Sequence, residues 1–367
     1  MRDFPRQLRA LGTSVSTPAP VVVRDVLIAN VERMQAFADG HGKRLRPHVK
    51  THKSVAIGRI QLEAGAIGLT AGTLAEAEIF ADAGCDDILL AYPVWAVGTK
   101  ADRIRALAGR IRLTVGVESV GAVDRLAEAM GDAAGSLGIV VEIDCGARRS
   151  GVQPHEAGAL AVHARAAGLD VRGIYTYPGQ GGTVGAPEGA AIEQADALRA
   201  AVASLAEHGV EATIVSAGST PTFQFSTDPV ITELRPGEYV FNDWDNVRIG
   251  DCTADDIALF VASTVVSDQG HPHVIVDAGT KALAREGNPE RGYGQVPSHD
   301  GCLRSLNEYH GYLALPEGGE RPAIGEPVAI VPHHVCPVVN SFEELVVIDA
   351  DGTIVDRWQV DARAQLN

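Results

Sequence analysis

From residue 44 to about residue 241, short β-rich runs alternate with alanine-rich stretches whose apolar residues recur at helical spacing. The runs that predict strands are 44–50, 67–70, 86–92, 112–118, 138–144, 171–178, 212–218 and 235–241. One of them, Gly138-Ile139-Val140-Val141-Glu142-Ile143-Asp144, is almost continuously apolar, as a strand buried on both faces of a parallel sheet must be. Between the runs lie stretches such as Gly72-Thr73-Leu74-Ala75-Glu76-Ala77-Glu78-Ile79-Phe80-Ala81, with Ser54 placed to start one helix and Gly84 to end another. Eight strands in strict alternation with helices predict an α/β protein built on a closed parallel (β/α)8 TIM-like barrel. An open doubly wound sheet is the competing architecture.

Beyond about residue 245 the helical periodicity fades. β-branched runs bounded by Gly, Pro and Asp take over at 258–267, 273–277, 327–332 and 344–348, and Asp349-Ala350-Asp351-Gly352 marks a turn into another strand. Two domains follow from this change: an α/β barrel over 24–245 and a β-rich domain over 246–367. Residues 1–23 end in Val21-Val22-Val23, a run able to pair with the second domain.

Composition narrows the function. At about 150 residues per domain, 367 residues suit two domains. The 47 acidic against 31 basic residues leave a net charge of −16, which argues against nucleic acid and anionic membrane as partners. The longest apolar runs are strand-length, short of the roughly 20 residues that span a bilayer. No apolar signal-peptide core follows Met1-Arg2-Asp3-Phe4, and five scattered cysteines (85, 145, 252, 302, 336) fit a reducing compartment. The expectation is a cytoplasmic enzyme acting on a small molecule.

The chemistry concentrates in a few segments. Arg46-Pro47-His48-Val49-Lys50-Thr51-His52-Lys53 closes the first barrel run, at the strand end where barrel enzymes place their active sites. On an extended chain Lys50 shares a side with His48 and His52, and cationic neighbours lower a lysine's pKa toward that of an imine-forming amine. A basic surface loop is the alternative. Val215-Ser216-Ala217-Gly218-Ser219-Thr220-Pro221-Thr222 follows the seventh run, where barrels commonly bind phosphate on glycine-bearing backbone. Near the C-terminus, Pro332-His333-His334-Val335-Cys336-Pro337 sets His334 and Cys336 at i and i+2. If extended, they face one side while His333 faces away, an imidazole–thiolate pair suited to zinc with positions left open.

The lysine segment resembles the cofactor-lysine signature of the D-threonine aldolase and D-serine dehydratase family, which are fold-type III pyridoxal-phosphate enzymes similar in architecture to alanine racemase. The resemblance runs over most of the chain. It implies an N-terminal barrel, a C-terminal β domain and a homodimer. By the same resemblance Lys50 carries pyridoxal 5'-phosphate with His52 beside it, and Gly218, Ser219 and Thr220 hold the phosphate. Arg149, in Cys145-Gly146-Ala147-Arg148-Arg149-Ser150, then lies by the cofactor ring, as does Tyr177. Tyr239 is either a phosphate neighbour or packing. His310, in Asn307-Glu308-Tyr309-His310-Gly311, is a candidate proton carrier.

Relatives carry His-x-Asp or His-x-Cys at the metal place. The first resembles D-threonine aldolases with manganese or magnesium, the second zinc-dependent D-serine dehydratases. Cys336 therefore tips the expectation toward D-serine dehydration to pyruvate and ammonia. Retro-aldol cleavage of a D-β-hydroxy amino acid is the alternative. A racemase would need a second base, for which Tyr293, Tyr309 and Tyr312 are candidates outside any racemase-like motif. A non-catalytic cofactor carrier would lack the β domain.

Overall fold

The computed structural model describes residues 4–287 and 290–367. The chain forms two compact units. One comprises residues up to Glu32, Thr51–Ala56 and Glu238–Ala364; the other comprises Arg33–Lys50, Ile57–Gly237 and Gln365–Asn367.

The second of these is the barrel. Strand β1 (Ala19–Val23) belongs to the other unit, and the barrel strands are β2 (Arg44–Leu45), β3 (Leu69–Ala71), β4 (Asp87–Leu90), β5 (Arg112–Val117), β6 (Gly138–Ile143), β7 (Asp170–Thr176), β8 (Ile214–Ala217) and β9 (Glu233–Leu234). All pair in parallel, in the order β2-β9-β8-β7-β6-β5-β4-β3. A bridge between His48 and Thr70 joins the ends of that order, with Ile67 N–H donating to Leu45 O at 2.9 Å and Thr70 N–H to Pro47 O at 2.8 Å. The parallel ring is therefore closed, and the open-sheet alternative falls.

Local sequence explains the helices between the strands. Thr73 caps Leu74–Asp82, its hydroxyl accepting the Glu76 N–H at 3.1 Å, and Ser119 does the same for Val120–Met130. Strict alternation fails once, between β8 and β9, where only the 3-10 turn Phe223–Phe225 intervenes. Inside the barrel, Tyr175 crosses the ring so closely that a Cβ on Gly116 would meet its hydroxyl at 2.3 Å.

Two strand expectations change. The run 44–50 is a strand only at Arg44–Leu45, after which Pro47 and the His48 bridge lead into a turn over 49–52. The run 235–241 is not a strand: the pairing lies just before it, at Glu233–Leu234. Pro236 brings no N–H to a ladder, and residues Glu238–Val240 wind into a 3-10 turn.

The other unit is β-rich. It holds β10 (Leu259–Ser267), β11 (His273–Val276), β12 (Gly294–Val296), β13 (Gly301–Leu306), β14 (Gly311–Ala314), β15 (Pro327–Pro332), β16 (Glu344–Ile348) and β17 (Ile354–Gln359). Six of these close an antiparallel ring, β10-β11-β14-β13-β12-β15 and back to β10. Val261, Val274, Val276, Leu303, Leu313, Val328 and Ile330 form one buried core of this unit. Strand β1 pairs antiparallel with β10 and parallel with β16, so Val21-Val22-Val23 does join the β-rich part of the chain. Helix Phe4–Leu11 packs Phe4, Leu8 and Leu11 with Phe260 and Ala262, and the rings of Phe4 and Phe260 meet edge to face at 5.4 Å. β10 is thus covered on both faces, which is why its sequence is apolar at consecutive positions instead of alternating.

Candidate active site

In the barrel the predicted residues gather at the C-terminal ends of the strands. Lys50 leaves β2 half-buried, its backbone N–H donating to His48 Nδ1 at 3.3 Å. Its Nζ lies 5.4 Å from the centroid of the Tyr177 ring, and the Arg149 guanidinium carbon lies 4.8 Å from the same centroid. An aromatic face attracts both cations. Beside them Tyr175 donates to Glu142 Oε2 at 2.8 Å, and Ser150 donates to Glu142 Oε1 at 2.7 Å. Burial, and then the Glu142 carboxylate, raise the Tyr175 phenol well above its ordinary value, so it stays a donor.

Arg235, unassigned by the sequence reading, stacks over Tyr175 at 5.0 Å and donates to Thr176 O, while its buried Nε has no hydrogen-bond partner. Burial lowers its pKa. The loop after β8 turns at Gly218 with φ of +82°, a left-handed conformation that favours glycine. Gly218 N–H donates to Gln194 Oε1 at 2.8 Å, and Ser219 and Thr220 are buried with Ser219 Oγ 3.0 Å from Thr222 Oγ1.

In the β-rich unit, His334 and Cys336 come together with Glu238. One ligand atom from each lies within 4.8 Å of the other two. Glu238 Oε1 is 3.5 Å from His334 Nδ1 and 3.8 Å from Cys336 Sγ. The chain is extended at His334 but not through Cys336, because Val335–Val339 forms a short helix that begins there. His333 does face away, its Nδ1 3.2 Å from Asp245 Oδ1. Asp243 Oδ2 lies 3.4 Å from His334 Nδ1, Glu286 Oε2 lies 3.5 Å from Nε2, and the Thr51 hydroxyl lies 3.1 Å from Cys336 Sγ. Burial opposes a charge on His334, but the Cys336 sulfur, Asp243 and Glu238 outweigh it and push its pKa up to about 12. Burial, then Glu238 and Asp243, raise Asp251 to about 7.

The remaining predicted residues are dispersed within this unit. His52 is fully buried, and its Nδ1 accepts the Ser54 N–H at 3.1 Å. Tyr239 is buried in the Glu238–Val240 turn, and His310 is exposed in the β13–β14 connection, its carbonyl accepting the Asn307 N–H at 2.9 Å. Glu238 escaped the sequence reading because 98 positions separate it from Cys336 and no periodicity links them.

Residues 22–243 match the alanine racemase N-terminal domain, and residues 258–348 match the putative serine dehydratase domain. This decides the family. The chain belongs to the fold-type III pyridoxal-phosphate lyases of the D-threonine aldolase and D-serine dehydratase family. It is 36% identical to the D-threo-3-hydroxyaspartate dehydratase of Delftia sp. (strain HT23), over 94% of this chain and 97% of that one. It is 32% identical to the D-threonine aldolase of an Arthrobacter species, over 95% and 93% respectively.

The crystal structure of D-threonine aldolase from Filomicrobium marinum superposes with a TM-score of 0.85 at 30% identity, covering 96% of this chain and 97% of that one. Structures of a D-threo-3-hydroxyaspartate dehydratase with a histidine or a cysteine, two positions apart, replaced by alanine superpose with TM-scores of 0.85 and 0.84. Their identities are 32% and 31%, covering 94% of this chain and 95% and 97% of theirs; the cysteine variant is in the metal-free form. No helix among the described residues is long and apolar enough to cross a membrane.

The residues present fit both groups. Lys50 offers an amine, the Gly218–Thr222 turn offers buried hydroxyls for a phosphate, and Arg235 Nε is an orphaned buried donor at the same barrel mouth. Glu238, His334 and Cys336 offer oxygen, nitrogen and sulfur to a divalent ion.

Proposed function

We propose that this enzyme is a metal-dependent dehydratase of D-β-hydroxy amino acids, with D-serine and D-threo-3-hydroxyaspartate as its substrate class. The observation that carries this reading is the meeting of His334 and Cys336 with a carboxylate. The same His-x-Cys spacing separates the two residues replaced in the D-threo-3-hydroxyaspartate dehydratase variants. Pyridoxal phosphate, when bound, supplies an electron sink for Cα, and a divalent ion supplies Lewis acidity to a β-oxygen. In this reading Lys50 tethers the cofactor and its Nζ then takes the Cα proton. Arg149 and Arg235 hold fixed positive charge by the cofactor, and Ser219 and Thr220 bind its phosphate. Tyr177 flanks the reacting amine. His334 and Cys336 hold the ion, zinc by their donor softness. Loss of the Cα proton and the β-hydroxyl releases water and an enamine, which hydrolyses to a 2-oxo acid and ammonia.

Retro-aldol cleavage to glycine and an aldehyde is the second reading, supported by the likeness to the Arthrobacter and Filomicrobium aldolases. A product assay on zinc-loaded holoenzyme separates them, with D-serine, D-threonine and D-threo-3-hydroxyaspartate offered one at a time. The proposal expects a 2-oxo acid and ammonia. Glycine with an aldehyde as the sole products would overturn it.

A further inference from the structure

We propose that Glu238 is the third protein ligand of the divalent ion, completing with His334 and Cys336 a nitrogen–sulfur–oxygen set with one position left open for substrate. The inference rests on the metal reading above and concerns a residue outside the His-x-Cys pair. Bonds of about 2.0–2.3 Å at tetrahedral angles set neighbouring ligand atoms roughly 3.3–3.8 Å apart. Glu238 Oε1 meets that spacing twice, at 3.5 Å from His334 Nδ1 and 3.8 Å from Cys336 Sγ. The position is anchored: the Glu238 carbonyl accepts the N–H groups of Phe241 at 3.0 Å and Asn242 at 2.8 Å, which fixes the turn that presents its side chain.

The other two carboxylates near His334 are less suited. Both oxygens of Asp243 are committed to backbone, Oδ1 accepting the Asn246 N–H at 3.0 Å and Oδ2 the Val335 N–H at 3.1 Å. Asp243 is thus engaged in holding the 243–246 turn and the start of the Val335–Val339 helix, beside the same ring nitrogen that faces Glu238. Glu286 is 60% exposed and approaches the other ring nitrogen. Charge agrees with the choice, since one thiolate and one carboxylate neutralise a divalent cation.

The test is a cobalt(II) titration of the metal-stripped, cofactor-loaded protein, read by absorbance. Wild type is expected to show a thiolate-to-cobalt charge-transfer band together with tetrahedral visible bands. Glu238→Gln keeps the charge-transfer band, because Cys336 still binds. It loses the tetrahedral visible pattern and binds cobalt at least about 10-fold more weakly. Glu238→Asp, which keeps the carboxylate on a shorter arm, falls between the two and serves should Glu238→Gln not fold. An unchanged affinity and visible spectrum in whichever variant folds would overturn the assignment of Glu238. Absence of the charge-transfer band from wild type would instead overturn the metal reading on which it rests.

Discussion

The backbones of His48 and Thr70 pair across the seam of the barrel, and the His48 imidazole accepts the backbone N–H of Lys50 at 3.3 Å. Closure of the ring thus fixes the backbone from which the lysine projects toward Tyr177. Replacing Lys50 with alanine keeps that backbone and removes the amine, so the visible absorbance of the bound cofactor should vanish while the fold persists. A visible band unchanged in Lys50→Ala would refute the cofactor assignment.

Chelation should separate the two groups. Treating the holoenzyme with a strong chelator is expected to abolish lyase turnover, leave the cofactor absorbance in place, and be reversed by zinc. Full activity after metal removal would show that His334 and Cys336 do not serve the reaction. Cys336→Asp replaces a soft donor with a hard one, so metal preference should move toward manganese. Retained zinc selectivity, measured by competition between the two ions, would count against Cys336 as a ligand.

Arg46 ties the barrel floor together. Its Nη1 donates to Asp87 Oδ1 at 2.6 Å and its Nε to Glu233 Oε2 at 3.0 Å, and the Glu233 side chain is fully buried with Ser216 donating to its other oxygen at 2.6 Å. Arg46→Met strands the Glu233 charge in the interior, a loss expected to cost about 3–5 kcal/mol. Urea unfolding measures it, and a cost under about 1 kcal/mol would mean the network is energetically idle.

Asp251 makes stability depend on pH. Its carboxyl ionises at about 7 in the fold against an ordinary 3.8, because it is buried and because Glu238 and Asp243 are near. The folded protein therefore binds this proton more tightly than the unfolded chain does. The stabilisation is complete below about pH 4 and disappears as pH rises to about 7. In metal-free protein, Asp251→Asn should melt with wild type at the acidic end and above it beyond about pH 7. Parallel melting curves across that range would contradict the raised pKa.

Much of the architecture is legible in the chain because strands such as β6, β15 and β16 are buried along nearly their whole length and read as almost unbroken apolar runs. The expected runs 327–332 and 344–348 coincide with β15 (Pro327–Pro332) and β16 (Glu344–Ile348). Legibility fails where backbone chemistry overrides side-chain pattern. Tyr239, Val240 and Phe241 look like a strand, yet Pro236 and Gly237 precede them and the Glu238 carbonyl gathers two N–H groups into a turn. The site follows the same rule. Lys50, Arg149 and Tyr177 are visible one at a time, through short motifs, and their convergence on a single ring appears only in three dimensions. Glu238 and Arg235 carry no motif at all; their significance comes from what the fold brings to them.

Strand β1 has a consequence for how the protein is made. It leaves the ribosome with Val23, but neither partner is complete until Leu259–Ser267 and Glu344–Ile348 have been synthesised. In the meantime every barrel strand, from Arg44 to Leu234, has emerged. Translation order thus lets the parallel ring assemble first, while a short run of valines waits for strands made more than 200 residues later.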